Sequence, residues 1–215
     1  MSHAKVIDDE SLGERPRPSR QITVACPLRW VDNERAGQIQ RRAGSLNGKE
    51  FVMMTNTSDK IYSNAPLQPG TRAPNFSLLA APGQQVTLSE LEGPVVLIFY
   101  PADWSPVCSD ELSMFESANG LFSDRGAQLV GIAVDGVWSH VAFKADRRLN
   151  FPLLADFHPK GEVARSYGVY RDQDGVTERA LFVLDAEHDV AWSHVSPIGI
   201  SPGVDGALRA VEALS

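Results

Sequence analysis

One stretch, residues 95–112 (VVLIFYPADWSPVCSDEL), constrains this chain more than any other. Residues 95–100 are apolar without alternation, the pattern of a strand buried on both faces. The run stops at Pro101, which has no N–H to give a sheet ladder. A short loop then delivers Cys108 to the start of a helix expected over 109–125. A helix N-terminus carries unpaired N–H groups and partial positive charge, and both favour a thiolate over a thiol. At its ordinary pKa a free cysteine is about 3 % thiolate at pH 7; a drop of roughly two to three units makes it mostly thiolate.

The elements around this stretch predict an α/β fold. Strands are expected at 76–79, 95–100, 128–134, 153–155, 180–184 and 190–194, the last two joined by a turn at Glu187 and His188. An extended piece at 86–88 leads to a short helix through Leu91, with Ser89 as its cap. Helices are expected at 109–125, with Leu112, Phe115 and Phe122 on one face, and at 138–148, with Trp138, Val141, Ala142 and Ala145 at core spacing. Further helices are expected at 162–167 and 203–214. Alternating strands and helices with a terminal hairpin give a mixed central sheet flanked by helices.

Residues 1–60 differ in texture. They hold charge clusters (IDDE, GERPRPSR, DNERAG, QRRAG) and no sustained apolar period beyond a short helical candidate at 38–42. They are expected to form a poorly ordered extension, followed by one domain over 67–215. Gly48-Lys49-Glu50 can be encoded by a purine-rich run of the ribosome-binding kind just before Met53 and Met54. Translation is therefore open to starting there, with the upstream residues misassigned.

Charge and composition exclude several classes. Net charge is −7, and residues 61–215 carry ten Lys/Arg against nineteen Asp/Glu. That balance argues against nucleic acid as a partner. No apolar run reaches the roughly 20 residues that span a bilayer, so no membrane role is expected. The first 20 residues lack an apolar signal segment. Two cysteines are too few for a disulfide scaffold, so a disulfide here would be catalytic or regulatory. Together these features lead us to expect a cytoplasmic protein.

Pro101, Ser105 and Cys108 stand as P-x-x-x-S-x-x-C directly after the apolar run. This resembles the peroxiredoxin signature P-x-x-x-[ST]-x-x-C on a thioredoxin-like fold. The flanks Phe99-Tyr100 and Glu111-Leu112 agree. ERALFVLD, residues 178–185, resembles the family strand that opens with an active-site arginine, here Arg179. DFHPKGEVARSYGV, residues 156–169, resembles the stretch before it. The likeness covers about 67–214, and the variant it matches best is the bacterioferritin-comigratory or alkyl-hydroperoxide-reductase type.

The resemblance implies a thiol peroxidase for hydrogen peroxide or organic hydroperoxides. Cys108 would be the peroxidatic nucleophile and pass through a sulfenic acid. Arg179 would stabilise thiolate and developing charge as a cation that keeps its proton. Ser105 and the Cys108 N–H would bond the peroxide, Pro101 would wall the pocket, and Glu111 would orient Arg179. The resemblance calls for no metal and no organic cofactor.

Each residue also has a plainer reading. A lone cysteine is more often buried and inert than reactive, and the flanking pattern is what reverses that here. Arg179 alone would be a surface ion-pair residue. Asp110 and Glu111 would be ordinary acids near a helix N-terminus. Asp103, Asp110 and Glu111 would each oppose a nearby thiolate, so the Arg179 charge would have to offset them. His140 and His194 read as structural, and no histidine has metal-ligand spacing with two partners.

The sulfenic acid must be reduced, and the places where relatives carry a second cysteine hold Ser113 and Ser139 or lie in a tail, LRAVEALS, with none. The domain thus resembles a one-cysteine peroxiredoxin recycled by an external thiol: thioredoxin, glutaredoxin or a small thiol. Cys26, in the extension, is a candidate resolving residue, since closing a loop of about 80 residues costs only a few kcal/mol; the simpler expectation is that it is incidental. Monomer and homodimer both fit. A thiol–disulfide oxidoreductase fits poorly, because its C-x-x-C would read Ser105-Pro106-Val107-Cys108. A redox sensor or thiol-dependent holdase on the same fold would use the same thiolate and differ in turning over little.

Overall fold

The computed structural model describes residues 65–214, within the second of the two units into which the chain divides, Asn56–Ser215. The expectations for residues 1–60, Cys26 and the alternative start therefore lie outside the described residues.

The expected mixed sheet is present, with seven strands in the order β2-β1-β5-β4-β3-β8-β9. These are β1 (Ser77–Ala81), β2 (Gln84–Thr87), β3 (Val95–Phe99), β4 (Gln128–Ala133), β5 (Leu153–Ala155), β8 (Arg179–Leu184) and β9 (Val190–Ser196). Strands β3, β4 and β5 run parallel; β8 pairs antiparallel with β3, and β9 with β8. A two-strand ladder absent from the sequence reading, β6 (Tyr170–Arg171) with β7 (Val176–Thr177), precedes β8. Strands this short carry too few residues to show a period.

Strand β3 is central and wholly buried because it feeds two cores. Val96 and Ile98 pack with Leu112, Phe115 and Phe122 of α1 (Pro106–Ser123), Phe143 of α2 (Val137–Arg147) and Val211 of α4 (Asp205–Glu212). Val95, Leu97 and Phe99 face the other way, with Val163 and Ala164 of α3 (Glu162–Ser166) and with Tyr167. There Tyr167 meets Phe99 and Phe182 with ring centroids 5.3 and 5.4 Å apart. Each such aromatic pair adds about 0.5–1.5 kcal/mol beyond its burial.

Three expectations need correction. Helix α1 starts at Pro106, three residues before the predicted 109, because Ser105 is its N-cap and Pro106, at the first helical position, gives up no N–H that a helix would use. Cys108 is therefore inside the first turn. The short helix before β3 is a 3-10 turn over Leu88–Glu90 in which Ser89 is internal; Asn75 Oδ1 takes the Ser89 N–H at 3.0 Å. In α2 the predicted core face is the wrong one. Trp138 is 73 % exposed, Ala142 and Ala145 are exposed, and the buried positions are His140 and Phe143. Treating histidine as polar rotated the expected stripe away from its true direction.

Candidate active site

Pro101 ends β3 and is buried. The loop after it turns sharply at Trp104, whose φ of 62° is a left-handed conformation uncommon for so bulky a residue. Its surroundings hold it there. The indole N–H donates to Ser139 Oγ at 3.3 Å, and the ring sits edge-on to Phe143 at 5.1 Å. The turn brings Ser105 to the helix end, where its Oγ accepts the Cys108 N–H at 3.3 Å. The two groups expected to bond a peroxide thus bond each other.

Cys108 is fully buried. Arg179, the first residue of β8, is 1 % exposed and lies against it, because antiparallel pairing of β8 with β3 brings the start of β8 beside the end of β3. Arg179 Nη2 donates to Cys108 Sγ at 3.3 Å. Nη1 donates to Glu111 Oε2 in a buried ion pair. Nε and Nη2 both donate to the Ile198 carbonyl, at 3.0 and 2.9 Å. The cation is thereby held from three sides: by α1, by its own strand, and by the loop after β9. Burial pushes the Glu111 carboxyl from 4.5 up to about 7, with Arg179 pulling the other way.

Cys108, Ser105, Glu111 and Arg179 are thus brought together as expected. Asp103 is not part of this cluster in the way supposed. Its carboxylate is buried and takes up hydrogen bonds from Tyr100 Oη at 2.8 Å, Ser139 Oγ at 2.7 Å and His140 Nδ1 at 2.9 Å. His140 Nε2 lies 3.2 Å from the Leu154 carbonyl, and the Asp103 N–H donates to Asp135 Oδ2 at 2.9 Å. Burial and then Asp103 push the Tyr100 phenol well above its ordinary value. Asp110 is exposed.

Sequence reasoning missed three supports. The Ile198 carbonyl leaves no mark in the sequence, because any residue supplies one. Thr177 donates its hydroxyl to the Tyr100 carbonyl at 2.6 Å, two residues before Arg179. The Tyr100–Asp103–Ser139–His140 cluster had a signal, a histidine and a serine on the inner side of α2, but nothing local pointed to Asp103. Ser139 is committed to this network, accepting from the Trp104 indole and donating to Asp103.

The AhpC/TSA family model matches residues 69–193, more than half of the chain. The chain belongs to this peroxiredoxin family. Peroxiredoxin 2 of Thermoplasma acidophilum is 34 % identical over 152 residues, covering 67 % of this chain and 75 % of that one. The chloroplastic 2-Cys peroxiredoxin BAS1 of Spinacia oleracea is 33 % identical over 157 residues, 67 % of this chain and 58 % of its own. Among solved structures, peroxidoxin BcpB of Mycobacterium tuberculosis superposes with a TM-score of 0.63 at 32 % identity, covering 69 % of this chain and 99 % of that one. As a peroxiredoxin, the chain is a thiol-dependent peroxidase on a thioredoxin-like fold.

Proposed function

We propose that Cys108 is the peroxidatic nucleophile and that the protein runs as a one-cysteine enzyme on hydrogen peroxide or organic hydroperoxides. The observation that carries this is the 3.3 Å hydrogen bond from Arg179 Nη2 to a fully buried Cys108 Sγ in the first turn of an 18-residue helix. A permanent cation and a helix N-terminus both favour the sulfur anion, and burial keeps competing water away.

The thiolate attacks one peroxide oxygen. The S–O bond forms, the O–O bond breaks, and the electron pair leaves on the second oxygen, which becomes water or an alcohol once protonated. Arg179 faces the charge as it moves from sulfur to oxygen. Ser105 Oγ and the Cys108 N–H, released from each other, bond the peroxide. An external thiol then attacks the sulfenic acid, expelling water and leaving a mixed disulfide, and a second thiol frees Cys108. The reductant class we favour is thioredoxin, glutaredoxin or a small thiol, and the working unit is a monomer or a homodimer.

Stopped-flow tryptophan fluorescence of the reduced protein with hydrogen peroxide tests this. Trp104, four residues from the sulfur, supplies the signal. A rapid second-order change, absent in Cys108→Ser, together with sustained turnover on a dithiol, is expected. A rate no greater than that of free cysteine would overturn the assignment. One reaction per chain without turnover would instead favour a sensor, and a Cys26–Cys108 disulfide after one equivalent of peroxide would replace the one-cysteine cycle.

A further inference from the structure

Glu111 is an unusual residue to find sealed inside this site. Its carboxyl is fully buried; Oε2 accepts from Arg179, and Oε1 has no hydrogen-bond partner among the described residues. Three positions earlier on the same helix, Cys108 accepts from the other terminal nitrogen of the same guanidinium. Two acids therefore share one fixed cation in a buried pocket. The ionisable group that bears on the Glu111 carboxyl is Arg179 from β8, which Cys108 of α1 shares. The loop after β9 contributes the Ile198 carbonyl, which is uncharged and already occupied by Arg179.

If both acids ionise, the cluster carries a net negative charge away from water, and one carboxylate oxygen is left bare. Both are costly. If one proton stays, the charges balance. Peroxide chemistry changes which acid needs it, because attack turns the sulfur anion into a neutral sulfenic acid and leaves Arg179 without an anionic partner until Glu111 ionises.

We propose that Glu111 holds the site's single acid proton while Cys108 is a thiolate, and gives it up when Cys108 is oxidised. This rests on the assignment of Cys108 above. The step balances: thiolate, protonated Glu111 and ROOH become sulfenic acid, Glu111 carboxylate and ROH. The proton lost by Glu111 equals the one the leaving oxygen needs. Burial, which pushes the carboxyl to about 7, supports a protonated reduced state near neutrality. Glu111 is then a proton-storing and positioning residue, acting through Arg179.

Infrared difference spectra of reduced against peroxide-oxidised protein read this directly. The carbonyl stretch of a protonated carboxyl is expected in the reduced state and lost on oxidation, shifted by carbon-13 labelling of glutamate and absent from Glu111→Gln. An indicator dye at about pH 6, a unit below the Glu111 value, gives a second readout. The wild type is expected to take up no proton per Cys108 oxidised, and Glu111→Gln one. An unchanged carboxyl region, or equal proton uptake in both proteins, overturns the proposal. The labelled wild type needs no variant to fold. Trapping the sulfenic acid with dimedone separates the two levels. Trapped Cys108 with no carboxyl change sinks the Glu111 role alone, and no trapped Cys108 sinks the nucleophile assignment with it.

Discussion

Replacing Asp103 by alanine tests whether the loop that leads into α1 is held from behind. The Asp103 carboxylate accepts three side-chain hydrogen bonds, from Tyr100, Ser139 and His140, all inside the protein. A hydrogen bond to a charged group is worth about 1.5–3 kcal/mol, so the sum of three would reach roughly 9. The true loss is smaller. Tyr100 Oη and His140 Nδ1 already lie 3.4 Å apart and can bond each other, Ser139 keeps the Trp104 indole, and the cost of burying a carboxylate disappears with it. About 3–4 kcal/mol of destabilisation remains, which for a domain of this size lowers Tm by roughly 6–16 °C. Urea unfolding followed by circular dichroism measures it, and a double-mutant cycle with His140→Ala should show coupling above about 1 kcal/mol. Because Trp104 sits in a left-handed turn one residue before the α1 cap, the folded variant should also react more slowly with peroxide. A loss below about 1 kcal/mol with an unchanged peroxide rate would refute the reasoning.

Further outcomes follow from the same geometry. Arg179→Lys keeps a charge but cannot reach Cys108, Glu111 and Ile198 together, so loss of one charge-assisted bond, about 1.5–3 kcal/mol, should slow sulfenic acid formation by roughly 10- to 150-fold in competition kinetics; a wild-type rate would remove Arg179 from the mechanism. The raised Glu111 carboxyl makes the native state bind more protons than the unfolded chain, so this residue's contribution declines as pH rises from about 4.5 to about 7, by about 3 kcal/mol in all, and Glu111→Gln should lack that slope in denaturant titrations across the window. Asp156, buried and raised to about 6, accepts the Val163 and Ala164 N–H groups at 3.2 and 2.9 Å, so Asp156→Ala should uncap α3 at a cost of about 1–3 kcal/mol by thermal melt. Gly131→Ala places a Cβ 2.6 Å from Leu153 Cδ2 between two buried strands, and overpacking there should cost about 1–3 kcal/mol in the same assay.

Much of this molecule is legible from local pattern, and the reasons are local. Strands β3 and β8 announce themselves because each is buried on both faces and so is apolar at every position. The helix after β3 is visible in Leu112, Phe115 and Phe122, and Cys108 is singled out by standing between such a strand and such a helix. Errors arose where a side chain is placed by distant partners. The buried face of α2 departs from its apolar stripe because His140 is held inside by Asp103, thirty-seven residues away, and a buried polar residue interrupts such a stripe. Helix α1 begins ahead of its apolar stripe because Pro106 fits a first helical turn.

By itself, the sequence determined the order of elements and the buried central strand, because those depend on neighbours within a few positions; the candidate site residues stood out through their resemblance to a family pattern. The tertiary structure alone decided how those residues meet. Antiparallel pairing of β8 with β3 sets Arg179 against Cys108 across seventy-one positions, and the loop after β9 lends it a backbone carbonyl that no residue type could advertise. Asp103 faces Tyr100, Ser139 and His140, and Glu111 the shared cation, because each carboxylate, once buried, must find donors, and where those donors lie is a property of the packed fold.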